Sequence, residues 1–298
     1  MLRSLSDIVG VAKSRGTKTC VVVAAEDPDV LLAMDEAVTH EIARSILVGS
    51  RQRIEIAANI AGVDISKHEI IEEDDPATAA RRGVQLVAAG KADLVMKGLV
   101  STSDVLKAVL CKEGGLRTGR LLSHLSVFEM PGADKLAIFS DGAMNIAPSL
   151  EEKAEITQNA IDIAHLLGMT EPRVAAIAAI EYVNSDMPAT IDAACISKMA
   201  ERGQIKGGIV DGPLALDNAI SAESAGIKKI VSPVAGRADI LIMPDIEAGN
   251  VFYKTLVYMG SGCCASIVAG AKAPVVLTSR SDSHEAKFYS LVLGIAVS

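Results

Sequence analysis

Short, wholly apolar runs alternate along this chain with longer segments whose apolar residues recur at helical spacing. Lys18 to Ala25 (KTCVVVAA), Ser45 to Val48 and Asp93 to Met96 read as strands buried on both faces. Leu2 to Lys13, Val30 to His40, Arg53 to Ala61 and Pro76 to Ala89 carry the helical period between them. Strands separated by helical segments of about 10 to 15 residues point to βαβ units and a parallel sheet. The texture changes at Leu121, where two β-like runs, Leu121 to Met130 and Lys135 to Ser140, flank the turn signal Pro131-Gly132-Ala133-Asp134 and suggest a hairpin linking two domains.

After Pro148 the alternation resumes. The pattern gives a helix over Glu151 to Leu167, a strand over Arg173 to Ile180 and a helix over Pro188 to Arg202. A strand over Lys206 to Val210, a helix over Leu216 to Ser224 and a strand over Ile240 to Met243 follow. Pro244-Asp245 ends that last strand, and Gly249-Asn250 releases a helix over Val251 to Met259. A final strand, Pro274 to Leu277, and helix, Ser283 to Ala296, are expected to return to the first domain, since chain ends often lie close together. The expected fold class is α/β: two doubly wound parallel-sheet domains, residues 1–126 plus 273–298 and residues 127–272.

Composition narrows the function. Of 298 residues half are hydrophobic, enough for a large core, while aromatics are 3% with no Trp, which removes the stacking platforms of single-strand binders. A formal charge of -8 argues against a general grip on nucleic acid or anionic membrane. No apolar run approaches the roughly 18 residues of a membrane span, and the N-terminus lacks a signal-peptide block, so a cytoplasmic protein is expected. Five scattered cysteines without a CxxC pair imply neither a disulfide framework nor a zinc site, and no metal is expected.

Four polar clusters fall where strands give way to helices, the edge at which open α/β folds bind ligands. Lys97-Gly98 followed by Ser101, Thr102, Ser103 and Asp104 offers hydroxyls and a helix N-terminus to an anion; helix capping alone explains the same residues. Arg117 and Arg120 flank Gly119 and suit bidentate phosphate recognition, or are surface arginines; nearby His124 reads as a core residue. Asp211-Gly212-Pro213 breaks a strand before Asp217. In Thr278 to Glu285 (TSRSDSHE), Arg280 stands at a helix N-terminus, where a cation opposes the dipole unless an anion joins it. The strand-to-helix passage ADILIMPDIEAGNVFYK adds Asp245, Glu247, Asn250 and Lys254. Gly260 to Ala265 matches GxGxxA but follows a helical pattern rather than a strand, so dinucleotide binding is not expected there, and Cys263 and Cys264 read as packing residues.

Taken in order, MKGLVSTSDVLKAVL, LSVFEMPG, FSDGAMNIAPSLEEKAEI, VDGPLALDNAIS, SPVAGRADILIMPDIEAGNVFYKTL and TSRSDSHEAK resemble the phosphate acetyl/butyryltransferase family over nearly the whole chain, and most of all its short butyryltransferase branch. The resemblance implies an isocitrate/isopropylmalate dehydrogenase-like fold with an active-site cleft, a homodimer, and transfer of a short acyl group between coenzyme A and inorganic phosphate. It implies that Ser101, Thr102, Ser103, Lys254 and Arg280 hold phosphate, with Arg117 or Arg120 as a further arginine, and that Ser279 stabilises the tetrahedral oxyanion. The family's base position falls on Ala286, leaving Asp282 and Glu285 as the neighbouring carboxylates. Short-chain acyl-CoA and phosphate are the implied substrates, with no tightly bound cofactor. A phosphate acetyltransferase, an NAD-dependent 2-hydroxy-acid dehydrogenase of related fold and a non-catalytic acyl-phosphate binding module remain the alternatives.

Overall fold

The computed structural model describes residues 2–129, 135–260, 262–279 and 281–298. The chain divides into two compact units, Leu5–Arg120 with Cys263–Ser298, and Leu121–Gly262 with the residues ahead of Leu5. The first unit opens with α1 (Leu5–Ser14), β1 (Lys18–Val23), α2 (Pro28–Thr39), β2 (Ala43–Gly49), α3 (Arg51–Ala61), β3 (Glu69–Glu72), α4 (Pro76–Ala88), β4 (Leu94–Lys97) and α5 (Thr102–Val109). Helices α2 and α4 begin alike, with an Asp cap followed by Pro: Asp27 accepts from the Asp29 and Val30 amides, and Asp75 from that of Thr78. Strand β3 is an addition to the expected elements. Its sequence, EIIE, is too short and too charged to show as an apolar run, yet it pairs in parallel with β2 from Ile46↔Glu69 to Gly49↔Glu72.

The second unit contains β5 (Ser123–Glu129), β6 (Leu136–Ser140), α6 (Leu150–Leu166), β7 (Arg173–Ile177), α7 (Pro188–Glu201), β8 (Ile209–Leu214), α8 (Leu216–Ile220), α9 (Ala222–Ile227), β9 (Ile240–Ile242) and α10 (Ile246–Tyr258). Strands β5 and β6 form the expected antiparallel pair, Leu125↔Ser140 to Glu129↔Leu136; the expected turn at Pro131 to Asp134 lies outside the described residues. The strand order is β5-β6-β9-β7-β8, with β9 parallel to both β6 and β7. Three expectations need correction. Asp211-Gly212-Pro213 lies inside β8 rather than beyond it; β8 is the edge strand beside β7, so the missing Pro amide breaks no ladder bond there. The helix expected over Leu216 to Ser224 is two, because Ser221 turns extended and caps α9 by accepting from the Ser224 amide. Helix α10 starts at Ile246, capped by Asp245, so Gly249 and Asn250 are helical. Gly249 is there for space: a Cβ would come within 2.2 Å of the Asp141 carbonyl oxygen.

The chain then returns to the first unit with β10 (Cys264–Ala269), β11 (Val275–Val276) and α11 (His284–Ala296). Strand β11 runs parallel to β4, and β10, which the apolar pattern did not disclose, is antiparallel to β11. The order is β3-β2-β1-β4-β11-β10, mostly parallel and therefore covered by helices. Helix α11 supplies much of that cover, with Phe288, Leu291, Val292, Leu293, Ile295 and Ala296 all buried.

Between β2, β3 and α2 lies a buried imidazole. His68 Nδ1 is 2.5 Å from Ser45 Oγ, and Asp35 Oδ1 lies 3.5 Å from Nε2 without hydrogen-bond alignment. Burial depresses the His68 pKa and Asp35 only partly opposes it, so the folded state favours the neutral ring. The unfolded chain takes up a proton below about pH 6.5 that the native state refuses, so stability is full above that pH and falls as pH drops toward the native value. Urea unfolding between pH 8 and 5 should show His68→Gln losing less stability than wild type over the acid half of the range; parallel losses would exonerate His68.

Candidate functional site

Strand β4 is central in the first unit, with Val23 of β1 opposite Lys97 and Val276 of β11 opposite Met96. The chain leaves β1 toward β2 on one side and fills the other side with β4, so the order reverses between β1 and β4, where carboxyl-edge loops diverge and open sheets bind ligands. Glycine is required at the tip of β4. The Gly98 amide donates to Val23 O at 2.9 Å and that of Leu99 to Ala24 O at 2.7 Å, while a Cβ on Gly98 would stand 2.1 Å from the Ala24 carbonyl oxygen. Ala24 itself has φ 52°. The two loops therefore touch through backbone.

Beyond that contact Ser101 caps α5. Its Oγ accepts from the Asp104 amide at 3.0 Å and donates to Asp104 Oδ2 at 2.7 Å, and this hydroxyl is the first cause holding the Asp104 carboxyl below its usual value. The capping explanation thus covers Ser101 and Asp104. Thr102 and Ser103, exposed in the first helical turn, keep their hydroxyls beside amides that have no carbonyl one turn back. An anion placed there meets donors and the positive end of a helix dipole.

The parallel strand β11 delivers the second loop at the same edge. Thr278 is buried and Ser279 exposed. The Ser279 amide donates to Asp282 Oδ2 at 2.7 Å, the Asp282 amide returns to Ser279 O at 3.2 Å, and the hydroxyls of Ser279 and Ser281 lie 3.0 Å apart. Asp282 is accordingly the clasp of a tight turn. Arg280 lies outside the described residues. Ser283 caps α11 through the Ala286 amide, and Glu285 is exposed in its first turn. Two side chains that the sequence patterns did not single out anchor the helix start: His284 Nε2 lies 2.8 Å from Glu36 Oε2, and Lys287, 1% exposed, donates to Asp29 Oδ2 at 3.2 Å and sits 3.5 Å from Asp27 Oδ1. Lys97, 6% exposed, reaches both loops, with Nζ 3.3 Å from Gly98 O and 3.4 Å from Thr278 O. Its place at the end of an apolar strand was the signal available in the sequence.

The remaining candidates are carried by other segments. Arg117 and Arg120 are exposed on a segment anchored by Thr118 Oγ1 to Gly270 O and by the Lys272 amide to Leu116 O, at the end of β11 away from Ser279. Lys254 is exposed on α10 in the second unit. There Asp141, buried after β6, accepts from the amides of His124, Ala143 and Met144 and from Asn145 Nδ2, and Asn250 Nδ2 donates to Gly142 O, fixing where α10 begins. His124 is buried edge-on against Tyr253. Asp217 receives Ser224 Oγ and Lys228 Nζ, a structural role. Burial is the main cause raising the Cys264 thiol to about 12, so it stays protonated at neutral pH. Among the described residues no group of His, Cys, Asp or Glu is arranged to hold a metal ion, and no helix is long and apolar enough to cross a membrane.

Hydroxyls, a helix start and a buried ammonium gathered at the switch point of a doubly wound sheet define a protein built to hold a small anionic ligand. The Phosphate acetyl/butaryl transferase family model matches residues 76–295, and the chain belongs to that family of acyltransferases. It is 48% identical to the phosphate butyryltransferase of Clostridium acetobutylicum over 297 residues, covering 100% of this chain and 99% of the relative. A solved branched-chain phosphotransacylase from Enterococcus faecalis superposes with a TM-score of 0.84 at 33% identity, covering 94% of this chain and 98% of the other. A 4-hydroxythreonine-4-phosphate dehydrogenase from Klebsiella pneumoniae, at 14% identity, TM-score 0.55 and coverage of 94% and 99%, shares the fold alone.

The contact of Gly98 with Ala24 makes a testable demand. Gly98→Ala should lower unfolding free energy by about 1–3 kcal/mol through overpacking, whereas Gly10→Ala, with nothing within 4 Å of the added Cβ, should raise it by about 0.5–1 kcal/mol. Denaturant titration of both variants reads the difference; equal effects would mean the loops relax apart freely.

Proposed function

We propose that this acyltransferase converts butyryl-CoA and inorganic phosphate to butyryl phosphate and coenzyme A, reversibly, by direct transfer in a ternary complex. The observation that carries the reading is that Thr102-Ser103, at the start of α5, and Ser279, after β11, follow adjacent parallel strands at one edge, in a chain of this family. In the direction of thioester formation the coenzyme A thiolate attacks the acyl-phosphate carbonyl. The C–S bond forms, the tetrahedral oxyanion accepts from Ser279 Oγ, and the C–O bond to phosphate breaks. Arg280 neutralises the departing phosphate beside Thr102 and Ser103, and the family resemblance adds Lys254 of α10 as a phosphate ligand. Arg117 and Arg120 fit less well, given where their segment is anchored.

A thiol with a pKa of about 8.5, by analogy with free Cys, is only a few per cent ionised at pH 7, and a base that removes the proton during attack contributes about 10²- to 10⁴-fold. Asp282 holds the Ser279 amide, so Glu285 is the better proposal for that base. Cytoplasmic location and homodimeric assembly belong to the same reading. Exposed Val251, Tyr258 and Met259 on and just after α10, at 65%, 65% and 82%, are apolar surface that assembly would cover.

Thiol release from butyryl-CoA should require phosphate; none with any short acyl-CoA would overturn the reading. Arg280→Ala should cost about 10- to 100-fold in kcat/KM, the loss of one charge-assisted bond, and Arg117→Ala much less. Glu285→Gln should flatten the pH–rate profile while Asp282→Asn lowers the rate without changing its shape; the reverse pattern would make Asp282 the base.

A further inference from the structure

Lysine is a costly choice for the last residue of a central, fully buried strand. Taking an ammonium out of water costs several kcal/mol unless good acceptors surround it, and Met or Val would pack there without that cost. Two acceptors at Lys97 are backbone carbonyls, and their identity is informative. Gly98 O, at 3.3 Å, opens the loop leading to Thr102 and Ser103; Thr278 O, at 3.4 Å, immediately precedes Ser279. The second carbonyl lies 181 residues from Lys97 in sequence. The β4–β11 ladder contributes little beyond Val95↔Val275 and Met96↔Val276, because β11 is two residues long. The loops after it are therefore not held in register by strand pairing, and the Lys97 ammonium supplies the tie past the ladder's end.

We propose that Lys97 is a positioning residue that clamps the β4–α5 loop to the β11–α11 loop, setting the distance between the Thr102-Ser103 hydroxyls and Ser279 so that an acyl phosphate held by its phosphoryl group at the first brings its carbonyl oxygen to the second. The assignment rests on the acyl-transfer reading above and adds to it a residue that acts through the two loops. Spacing matters on this scale because a misplacement of about 1 Å at a reacting group can cost 10²-fold in rate. A clamp of this kind acts on the phosphate end of the substrate and leaves coenzyme A recognition alone.

The test uses the full-length protein with Lys97→Met, which keeps the length and apolar stem, and Lys97→Arg, which keeps a charge and several donors. Lys97→Met should raise the phosphate KM by about tenfold and lower kcat by about 10- to 100-fold, with the acyl-CoA KM within about twofold of wild type. Lys97→Arg should recover part of the phosphate KM. Calorimetry with inorganic phosphate alone should show the same loss of affinity in Lys97→Met. An unchanged phosphate KM and kcat would overturn the assignment, as would a parallel rise of both KM values with a fall in melting temperature, which is general loosening. Calorimetry also separates the two readings: phosphate binding lost in Lys97→Met, in a protein whose wild type releases no thiol, would support the clamp and sink the acyl-transfer function.

Discussion

A single carboxylate oxygen governs the carboxyl edge of the first unit. Asp27 Oδ1 accepts from the amides of Asp29 and Val30, which fixes where α2 begins, and lies 3.5 Å from Lys287 Nζ, which fixes the second turn of α11. Lys287 is 1% exposed, and a buried ammonium without partners is far too costly to keep, so Asp27 and Asp29 must both stay in place for α11 to dock. The turn from Thr278 to Ser283 is therefore stretched between two pinned ends, β11 and the start of α11. Its internal hydrogen bonds, Ser279 to Asp282 and back, shape what is left.

That arrangement separates stability from recognition within a few residues. Asp27, Lys287, His284 with Glu36, and the Gly98–Ala24 contact are inward-facing or backbone interactions that set geometry. Thr102, Ser103, Ser279 and Glu285 are exposed and do not share those bonds. A net charge of -8 makes such a site dependent on local cations rather than on a basic surface.

The fold was legible where burial leaves a strong period. Lys18 to Val23, the α4 segment and the α7 segment each lie within a residue or two of their expected limits. It was illegible where tertiary context overrides the pattern. Strand β3 has Glu at both ends and only two apolar residues, and β10 overlaps a stretch, Gly260 to Ala265, that matches GxGxxA behind a helical pattern. Gly249 reads as a helix breaker until the Asp141 carbonyl is seen against it, and Pro213 reads as a stop until β8 is seen to be an edge. For the site, the strand-to-helix junctions were legible: Ser101 is the N-cap of α5, Thr102 and Ser103 open that helix, and Ser279 follows β11. The commitments of individual side chains were less readable: capping was one of two readings open for Ser101, and nothing in the pattern marks Asp282 as the clasp of its own turn or Lys287 as buried.

Burial of the cysteines has a consequence for how this chain meets oxidants and electrophiles. Cys20 lies inside β1 with its thiol raised by desolvation, and Cys264 is held protonated beneath α11's approach, so neither offers a thiolate at neutral pH. Cys111 alone among the five is exposed. Alkylation or peroxide damage should accordingly begin on the segment after α5, outside the strand tips, and leave the sheet's interior sulfurs to be titrated only once the chain has opened.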